Sequence, residues 1–125
     1  VFGTWESIGT KGKISVPVRY EPACKPRHLV DVNWHKNALT HYEILGFEDC
    51  GGQTVTRVAL KPVTGRSHQL RVHMVHAGHV IIGDPIYAEG QALTIAPRLN
   101  LHAQQLRLKH PVLGAWMDWE SPCPF

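Results

Sequence analysis

The sequence predicts an α+β fold, with a mainly antiparallel mixed sheet and one central helix. Consecutive β-prone segments are separated by short turns, which favours antiparallel pairing between neighbours in the chain. A single stretch, HQLRVHMVHA, has helical spacing of its apolar residues. The regular alternation of strands and helices that a parallel sheet requires is not present.

Length and composition agree with one domain, or part of one, spanning residues 1–125. Hydrophobic residues make up 43% of the chain and charged residues 18%, which is globular composition. No apolar run reaches the ~18 residues that a membrane-spanning helix needs. The net charge of +3 permits a nucleic-acid partner without requiring one. Because the chain opens with Val1, we expect either processing or a piece of a longer protein.

The first predicted strand is carried by Ile14, Val16 and Val18, which alternate with polar residues. Pro17 removes a backbone donor, so this strand is expected at a sheet edge. Residues 20–36 contain two prolines and several charges, and are predicted to be a loop.

A β-hairpin is predicted next. Residues 38–47 are β-prone, Asp49-Cys50-Gly51-Gly52 is a turn signal, and residues 54–61 alternate with period two.

One short helix follows, with Ser67 as the expected N-cap and Gly78 just past its C-terminal end. Within it Leu70, Met74 and Ala77 fall on one stripe.

The remainder is predicted to contain two further strands. Residues 79–97 are expected to be mostly loop. Leu99, Leu101 and Ala103 alternate, and Leu106 and Leu108 continue in the opposite phase, which fits a strand with a bulge. Residues 116–119 (WMDW) are predicted to form the last strand.

The three cysteines, Cys24, Cys50 and Cys123, are far apart and odd in number. No C-x-x-C pair is present, so neither a zinc knuckle nor a disulfide framework is expected. Reduced thiols are the simplest interpretation.

The most informative segment runs from Leu60 to Tyr87. Arg66, His68 and Arg71 lie at the start of the predicted helix, and no acidic residue occurs between Pro62 and Gly83. Helix N-termini attract anions, and arginine is suited to phosphate or carboxylate. An anion site is one interpretation, and a solvated basic helix end is the alternative.

Arg71 lies among apolar neighbours, so a carboxylate partner is expected, because an unpaired buried charge is costly. That partner is either a catalytic acid or one half of a structural ion pair. Asp84 lies in a Gly-Asp-Pro turn, where its carboxylate is expected to accept backbone amides. A catalytic role for Asp84 is the weaker alternative.

Several other polar and aromatic residues were considered as ligands. His68, His73, His76 and His79 have spacings that can converge on a metal, but no acidic residue accompanies them and H-E-x-x-H is absent. Packing within the helix and contact with solvent explain these histidines better. His102 is favoured as a hydrogen-bonded sheet residue. Tryptophans can stack nucleic-acid bases, although Trp116 and Trp119 are expected to complete a small core.

The segment 60–73, LKPVTGRSHQLRVH, strongly resembles a signature of the RluA-type RNA pseudouridine synthases. The resemblance continues through Gly83-Asp84 and Tyr87, and spans essentially the whole chain. It includes K-x-A-x-T-x-Y at 36–42, L-x-L-H-A at 99–103 and His110-Pro111. Val80 departs from it, since proline is usual there. The spacing of residues 99–111 and the end ESPCPF are similar to the branch that modifies both ribosomal and transfer RNA.

The resemblance implies an RNA pseudouridine synthase whose nucleophilic aspartate, in an H-R-L-D motif, lies upstream of Val1. This chain would then be the C-terminal part of the catalytic domain and inactive alone. A target uridine would be flipped out of the RNA, and the aspartate would break its C1′–N1 bond. Arg71 matches the family arginine that pairs with that aspartate and keeps it ionised.

The same resemblance implies the remaining site residues and partners. Arg66 and His68 would shape the RNA-facing edge, Lys61 and Arg98 would contact phosphates, and Leu101 would line the pocket. The partner would be a ribosomal or transfer RNA stem-loop, with no DNA, membrane, cofactor or metal, in the cytoplasm. Two alternatives stay open at this point: a non-catalytic RNA-binding module, and a metal-binding protein built on the histidines.

Overall fold

A computed structural model describes residues 1–21, 27–102, 105–109 and 116–120. Seven strands and two helices occur in these ranges. In chain order they are β1 (Lys11–Ser15), β2 (Val18–Tyr20), β3 (His28–Val30), β4 (Leu39–Cys50), β5 (Gln53–Pro62), α1 (Gln69–His76), α2 (Gly90–Thr94), β6 (Gln105–Lys109) and β7 (Trp116–Glu120). Cys24, Cys123, Ala103 and His110-Pro111 lie outside the described residues.

The described strands form three antiparallel sheets, which confirms the predicted α+β class with mainly antiparallel pairing. The largest has the order β1-β4-β5, and the other two are the hairpins β2-β3 and β6-β7. The central helix is α1, as predicted. The structure adds α2, a helix of five residues, within the segment expected to be mostly loop.

The predicted hairpin is the β4-β5 pair. Gly51 and Gly52 both have positive φ, at 57° and 82°, and connect Cys50 to Gln53 directly. Positive φ at both central residues is the signature of the two-residue turn that matches strand twist. A register shift between Ile44 and Gly46 interrupts the ladder, as at a β-bulge.

The first predicted strand is divided in two. β1 ends at Ser15 and β2 begins at Val18, on either side of Pro17, which has no amide hydrogen to donate. The loop predicted over 20–36 is corrected, because the β2-β3 hairpin occupies part of it. Its three-residue strands are too short to produce an alternating pattern.

The core lies between the β1-β4-β5 sheet and α1. Met74 is fully buried and packs with Ile14 and Ile81, and Leu99 and Leu101 pack against this cluster. The strand predicted to begin at Leu99 is wrong for residues 99–102, which have no ladder partner. Their alternation reflects packing on the core in an extended loop. The last predicted strand is confirmed as β7.

The two ends of α1 show how the helix is positioned. Gly78 has φ +85° just after the C-cap residue Ala77, as predicted. The expected N-cap at Ser67 is wrong: the N-cap residue is His68, which has left-handed backbone (φ 55°) and no side-chain cap hydrogen bond. No helix in the described part of the chain is long and apolar enough to cross a membrane.

Candidate functional site

A cleft of about 320 Å³ opens beside the N-terminal end of α1. It contains four of the residues predicted from sequence: Arg66, His68, Arg71 and Leu101. Arg66 and His68 come from the loop between β5 and α1, Arg71 from the first turn of α1, and Leu101 from the extended loop after α2. The remaining predicted residues, Lys61 and Arg98, are exposed and do not line this cleft.

Arg71 is held by a two-point ion pair with Asp84. Its Nε donates to Asp84 Oδ2 at 2.9 Å, and its Nη2 donates to Oδ1 at 2.6 Å. Asp84 is 0% exposed and the Arg71 side chain 15% exposed. Two parallel charge-assisted hydrogen bonds fix the plane of a guanidinium as well as its position. Among the described residues, therefore, the expected carboxylate partner of Arg71 is Asp84.

Asp84 is itself fixed by the turn in which it lies. Its Oδ1 accepts the backbone amides of Ile86 and Tyr87 at 2.9 and 3.2 Å, which confirms the predicted turn role. Burial raises the pKa of this carboxyl, but the hydrogen bonds from Arg71 and the two amides outweigh burial and leave the pKa below its ordinary value. Asp84 is therefore an ionised, buried anchor for Arg71.

A cluster of rings forms the wall beside Arg71. The guanidinium lies 5.3 Å from the ring centroid of Tyr87, a distance at which a cation is attracted to the ring face. The Tyr87 hydroxyl accepts the His28 amide at 2.8 Å and lies 2.7 Å from His68 Nδ1. Since its other partner is a donor, the hydroxyl can donate to His68.

The pKa of His68 is lowered, first by burial and then by the charges of Arg71 and His28. The ring is therefore neutral at pH 7, with Nδ1 as the acceptor from Tyr87. This bond across 19 residues helps to offset the left-handed backbone of His68, a conformation that costs roughly 1–3 kcal/mol.

A buried hydrogen-bond network supports the cleft from below. The Thr64 hydroxyl donates to Gln69 Oε1 at 2.6 Å. Gln69 Nε2 donates to the Leu39 carbonyl and to Thr40 Oγ1, both at 2.9 Å. Thr40 Oγ1 lies 2.8 Å from His73 Nδ1. We refer to Thr64, Gln69, Thr40 and His73 as the floor network.

The direction of each bond in the floor network is determined. His73 Nε2 lies 2.9 Å from the Val16 carbonyl, which can only accept, so Nε2 carries the hydrogen. Nδ1 then accepts from the Thr40 hydroxyl. Burial lowers the pKa of His73, with the Val16 carbonyl opposing that effect. The ring is therefore neutral, and the network connects β4, the loop after β5 and α1.

Of the remaining predicted basic residues, Arg66 lines the cleft, whereas Lys61 and Arg98 lie outside it. Arg66 is exposed and its Nε donates to the Asn37 carbonyl at 3.1 Å, which ties the loop before β4 to the start of α1. Lys61 lies on β5 opposite His41. Arg98 Nε donates to the Leu99 carbonyl. The roles of Lys61 and Arg98 in RNA binding stay predictions.

Three of the four histidines that are candidate metal ligands, His68, His73 and His79, have other partners. His73 belongs to the floor network, and His79 Nδ1 lies 3.0 Å from the Phe2 carbonyl. In the ranges that the structure covers, no three His, Cys, Asp or Glu side chains could hold a metal ion together. Cys50 is half-buried, and its Sγ lies 3.4 Å from the Ile95 carbonyl.

Taken together, the described residues define an antiparallel α+β protein with a cleft at which Arg71 is anchored by Asp84. The chain belongs to the RNA pseudouridylate synthase family, whose family model matches residues 2–76.

Relatives and solved structures of this family resemble the chain along most of its length. The dual-specificity RNA pseudouridine synthase RluA of Pasteurella multocida (strain Pm70) is 42% identical over 115 residues, covering 92% of this chain and 51% of the relative. RluA of Escherichia coli (strain K12) is 41% identical with the same coverage. Human RNA Pseudouridylate Synthase Domain Containing 1 has a TM-score of 0.84 and 30% identity, covering 99% of this chain and 52% of its own. The chain thus spans about half the length of the curated relatives it matches.

Sequence reasoning missed the pairing of Arg71 with Asp84. The available signal was that Asp84 ends the acid-free stretch that begins at Pro62. It also missed Gln69, which is buried and joins both sides of the floor network. No local pattern marks Gln69, because its partners lie up to 30 residues away.

Proposed function

We propose that this chain forms the C-terminal part of the catalytic domain of an RNA pseudouridine synthase, which isomerises uridine to pseudouridine in ribosomal or transfer RNA. Family membership and the RluA relatives support this proposal. The observation that carries it is Arg71, anchored on Asp84 at the cleft.

Arg71 has the donors needed to hold a second carboxylate. A guanidinium has five N–H groups, and Asp84 uses two of them. Among the described residues, Nη1 donates no hydrogen bond. A nucleophilic aspartate supplied by the part of the synthase that precedes this segment would accept from the remaining donors. Arg71 would lower the pKa of that aspartate and orient it, because an opposite charge favours the ionised form.

The proposed reaction is balanced without a cofactor. The C1′–N1 bond of the uridine breaks, the uracil turns and a C1′–C5 bond forms. C5 loses its proton and N1 gains one, so the product is an isomer. The uridine must leave its stack to reach the cleft. Asp84 acts in this scheme as a positioning residue for Arg71.

The predicted RNA contacts fit different distances from the cleft. Arg66 and His68 would meet the backbone of the flipped nucleotide at the rim, and Leu101 would contact the base. Lys61 and Arg98 would meet phosphates further out, in a stem-loop of ribosomal or transfer RNA. The cytoplasm is where we expect such a substrate to be met.

The test is loss of the C5 hydrogen. The full-length gene product is incubated with ribosomal and transfer RNA made with [5-³H]uridine, and released tritium is counted. We expect release by the natural protein and at least a ~100-fold lower rate for Arg71→Ala, because Asp84 and the proposed nucleophilic aspartate would both lose their counter-charge. RNA affinity is expected to change little.

Arg57→Ala is the matched control, because it removes an arginine from an exposed ion pair with Glu48, away from the cleft. Full turnover by Arg71→Ala would refute the role of Arg71. RNA binding without tritium release by the natural protein would instead favour a non-catalytic RNA-binding module.

A further inference from the structure

The loop between β3 and β4 carries an exposed tryptophan that the cleft does not use. Residues 32–37 are all exposed, and Trp34 is 40% exposed. Its ring lies 4.6 Å from the ring of His35, at an interplanar angle of 49°. By contrast, Trp5 is stacked on Tyr42 and on His79, so its faces are already in use.

This loop is held in a defined conformation. The Trp34 amide donates to the Asp31 carbonyl, and the Asn33 amide donates to Asp31 Oδ1, both at 3.0 Å. Asp31 Oδ2 accepts from Arg19 Nε at 2.8 Å. Because the turn is fixed before any partner arrives, presenting Trp34 costs little conformational entropy on binding.

The loop is connected to the rim of the cleft. Arg66 Nε donates to the carbonyl of Asn37, three residues after Trp34. Three extended residues span at most about 11 Å, which is roughly three stacked nucleotide spacings. A single strand that enters the cleft beside Arg66 can therefore reach Trp34.

The charge around Trp34 favours a polyanion. No acidic residue occurs between Val32 and Tyr42 or between Pro62 and Gly83, and Lys36 and Arg66 are exposed. The nearest acid in sequence, Asp31, is already bound to Arg19. Lys36 and Arg66 have no ion-pair partner among the described residues. An exposed aromatic ring close to such cations is the arrangement that binds unpaired bases and their phosphates.

We propose that Trp34 is a stacking platform for an unpaired base of the RNA, next to the uridine that enters the cleft. This inference rests on the proposed function and adds a binding residue outside the cleft. Lys36 contacts the phosphate beside that base. Trp34 contributes to substrate affinity and not to the bond-breaking step.

The test uses the full-length protein and a fluorescent RNA stem-loop with about seven unpaired nucleotides, one of them uridine. Dissociation constants are measured by anisotropy at several salt concentrations. We expect Trp34→Ala to weaken binding at least about fivefold, and Trp34→Phe to restore most of it, because stacking needs only a ring face. Leu45→Ala, which removes another exposed apolar side chain (48% exposed), is the matched control and leaves binding unchanged.

Two readouts separate stacking from a general effect on folding. Trp34→Ala leaves the salt dependence unchanged, whereas Lys36→Ala lowers its slope by about 0.7, the value for one phosphate contact on a single strand. When one loop nucleotide next to the uridine is made abasic, the natural protein and Trp34→Ala bind equally well. In turnover, Trp34→Ala raises KM and leaves kcat unchanged.

Unchanged RNA binding by Trp34→Ala would overturn the proposal and leave Val32 and Trp34 as a surface for a different partner. The proposal would also be overturned if Trp34→Ala bound more weakly than the natural protein to every RNA in which one loop nucleotide is abasic. Weakened binding by Trp34→Ala in a protein that releases no tritium would leave the stacking role intact and refute the proposed function. Tritium release by the natural protein, together with unchanged RNA binding by Trp34→Ala, would support the proposed function and refute the stacking role.

Discussion

The ion pair between Arg71 and Asp84 allows a quantitative test by Asp84→Asn. The asparagine keeps the shape of the side chain and an Oδ1 that can still accept from Ile86 and Tyr87. What is lost is the negative charge opposite Arg71. The guanidinium then remains mostly buried with no counter-charge among the described residues.

The magnitude follows from the geometry. Two unit charges about 4 Å apart attract by about 4 kcal/mol at an effective dielectric constant of 20. Breaking a buried pair by removing one partner costs about 3–5 kcal/mol. Because Arg71 retains 15% exposure, water recovers part of this loss. We expect Asp84→Asn to lower the free energy of unfolding by about 3 kcal/mol, a large fraction of a typical domain's stability.

The assay is urea unfolding at pH 7 of four proteins: the natural one, Asp84→Asn, Arg71→Met, and the double variant. In the double variant no unpaired charge is left, so its loss should be at least about 1.5 kcal/mol smaller than the sum of the single losses. At temperatures where Asp84→Asn stays folded, kcat should fall while KM for RNA is kept. The reasoning would be refuted if Asp84→Asn lowered the free energy of unfolding by less than about 1 kcal/mol. It would also be refuted if the loss in the double variant equalled the sum of the two single losses.

Two further predictions concern the floor network and a tight turn. The pKa of His73 in the folded protein lies below its ordinary value near 6.5. As the pH falls, the unfolded chain therefore binds the proton before the folded protein does. The free energy of unfolding is at its full value above pH ~6.5 and decreases as the pH drops below that. Urea midpoints measured from pH 7.5 to 5 should show this decline. If the midpoint of His73→Gln depended on pH as steeply as that of the natural protein, the prediction would be wrong. A Cβ on Gly83, where φ is +72°, would overlap the Arg98 carbonyl oxygen, so Gly83→Ala should cost at least about 2 kcal/mol. Gly90→Ala also has positive φ (57°) but no atom within 4 Å, so its thermal melt should show a loss about half as large; equal losses would rule out the clash.

The hairpin and the central helix could be predicted because their signals are local. Period-two alternation in residues 54–61 and two adjacent glycines define β4-β5 without reference to the rest of the chain. Gly78 ends α1 for a similarly local reason. The β2-β3 hairpin could not be found this way, since three-residue strands contain no period and are recognised by their pairing alone.

Two errors have non-local causes. Ser67 has the side chain of an N-cap, but the N-cap residue is His68. The ring of His68 is bonded to Tyr87, which lies 19 residues after His68. Leu99 and Leu101 alternate as in a strand because both pack on the Met74 cluster. The apolar positions were therefore identified correctly, while the secondary structure was not.

Part of the candidate site could be predicted because its residues are close together in the sequence. Arg66, His68 and Arg71 are close in sequence, so a loop leading into a helix brings them to one cleft. Leu101 came from the family resemblance, and the structure places it on the same cleft. The Asp84 anchor depends on how the chain returns after α1, which spacing alone does not determine.

The floor network has a consequence for the rigidity of the cleft. Its bonds join residues from β4, the loop after β5 and α1, and each hydroxyl, amide and ring nitrogen has one permitted role. Opening the cleft by even a small amount would break several of these bonds together. Such a site is rigid. If the proposed function holds, the RNA and not the protein changes shape on binding, and we expect RNA loops whose uridine is weakly stacked to be the favoured substrates.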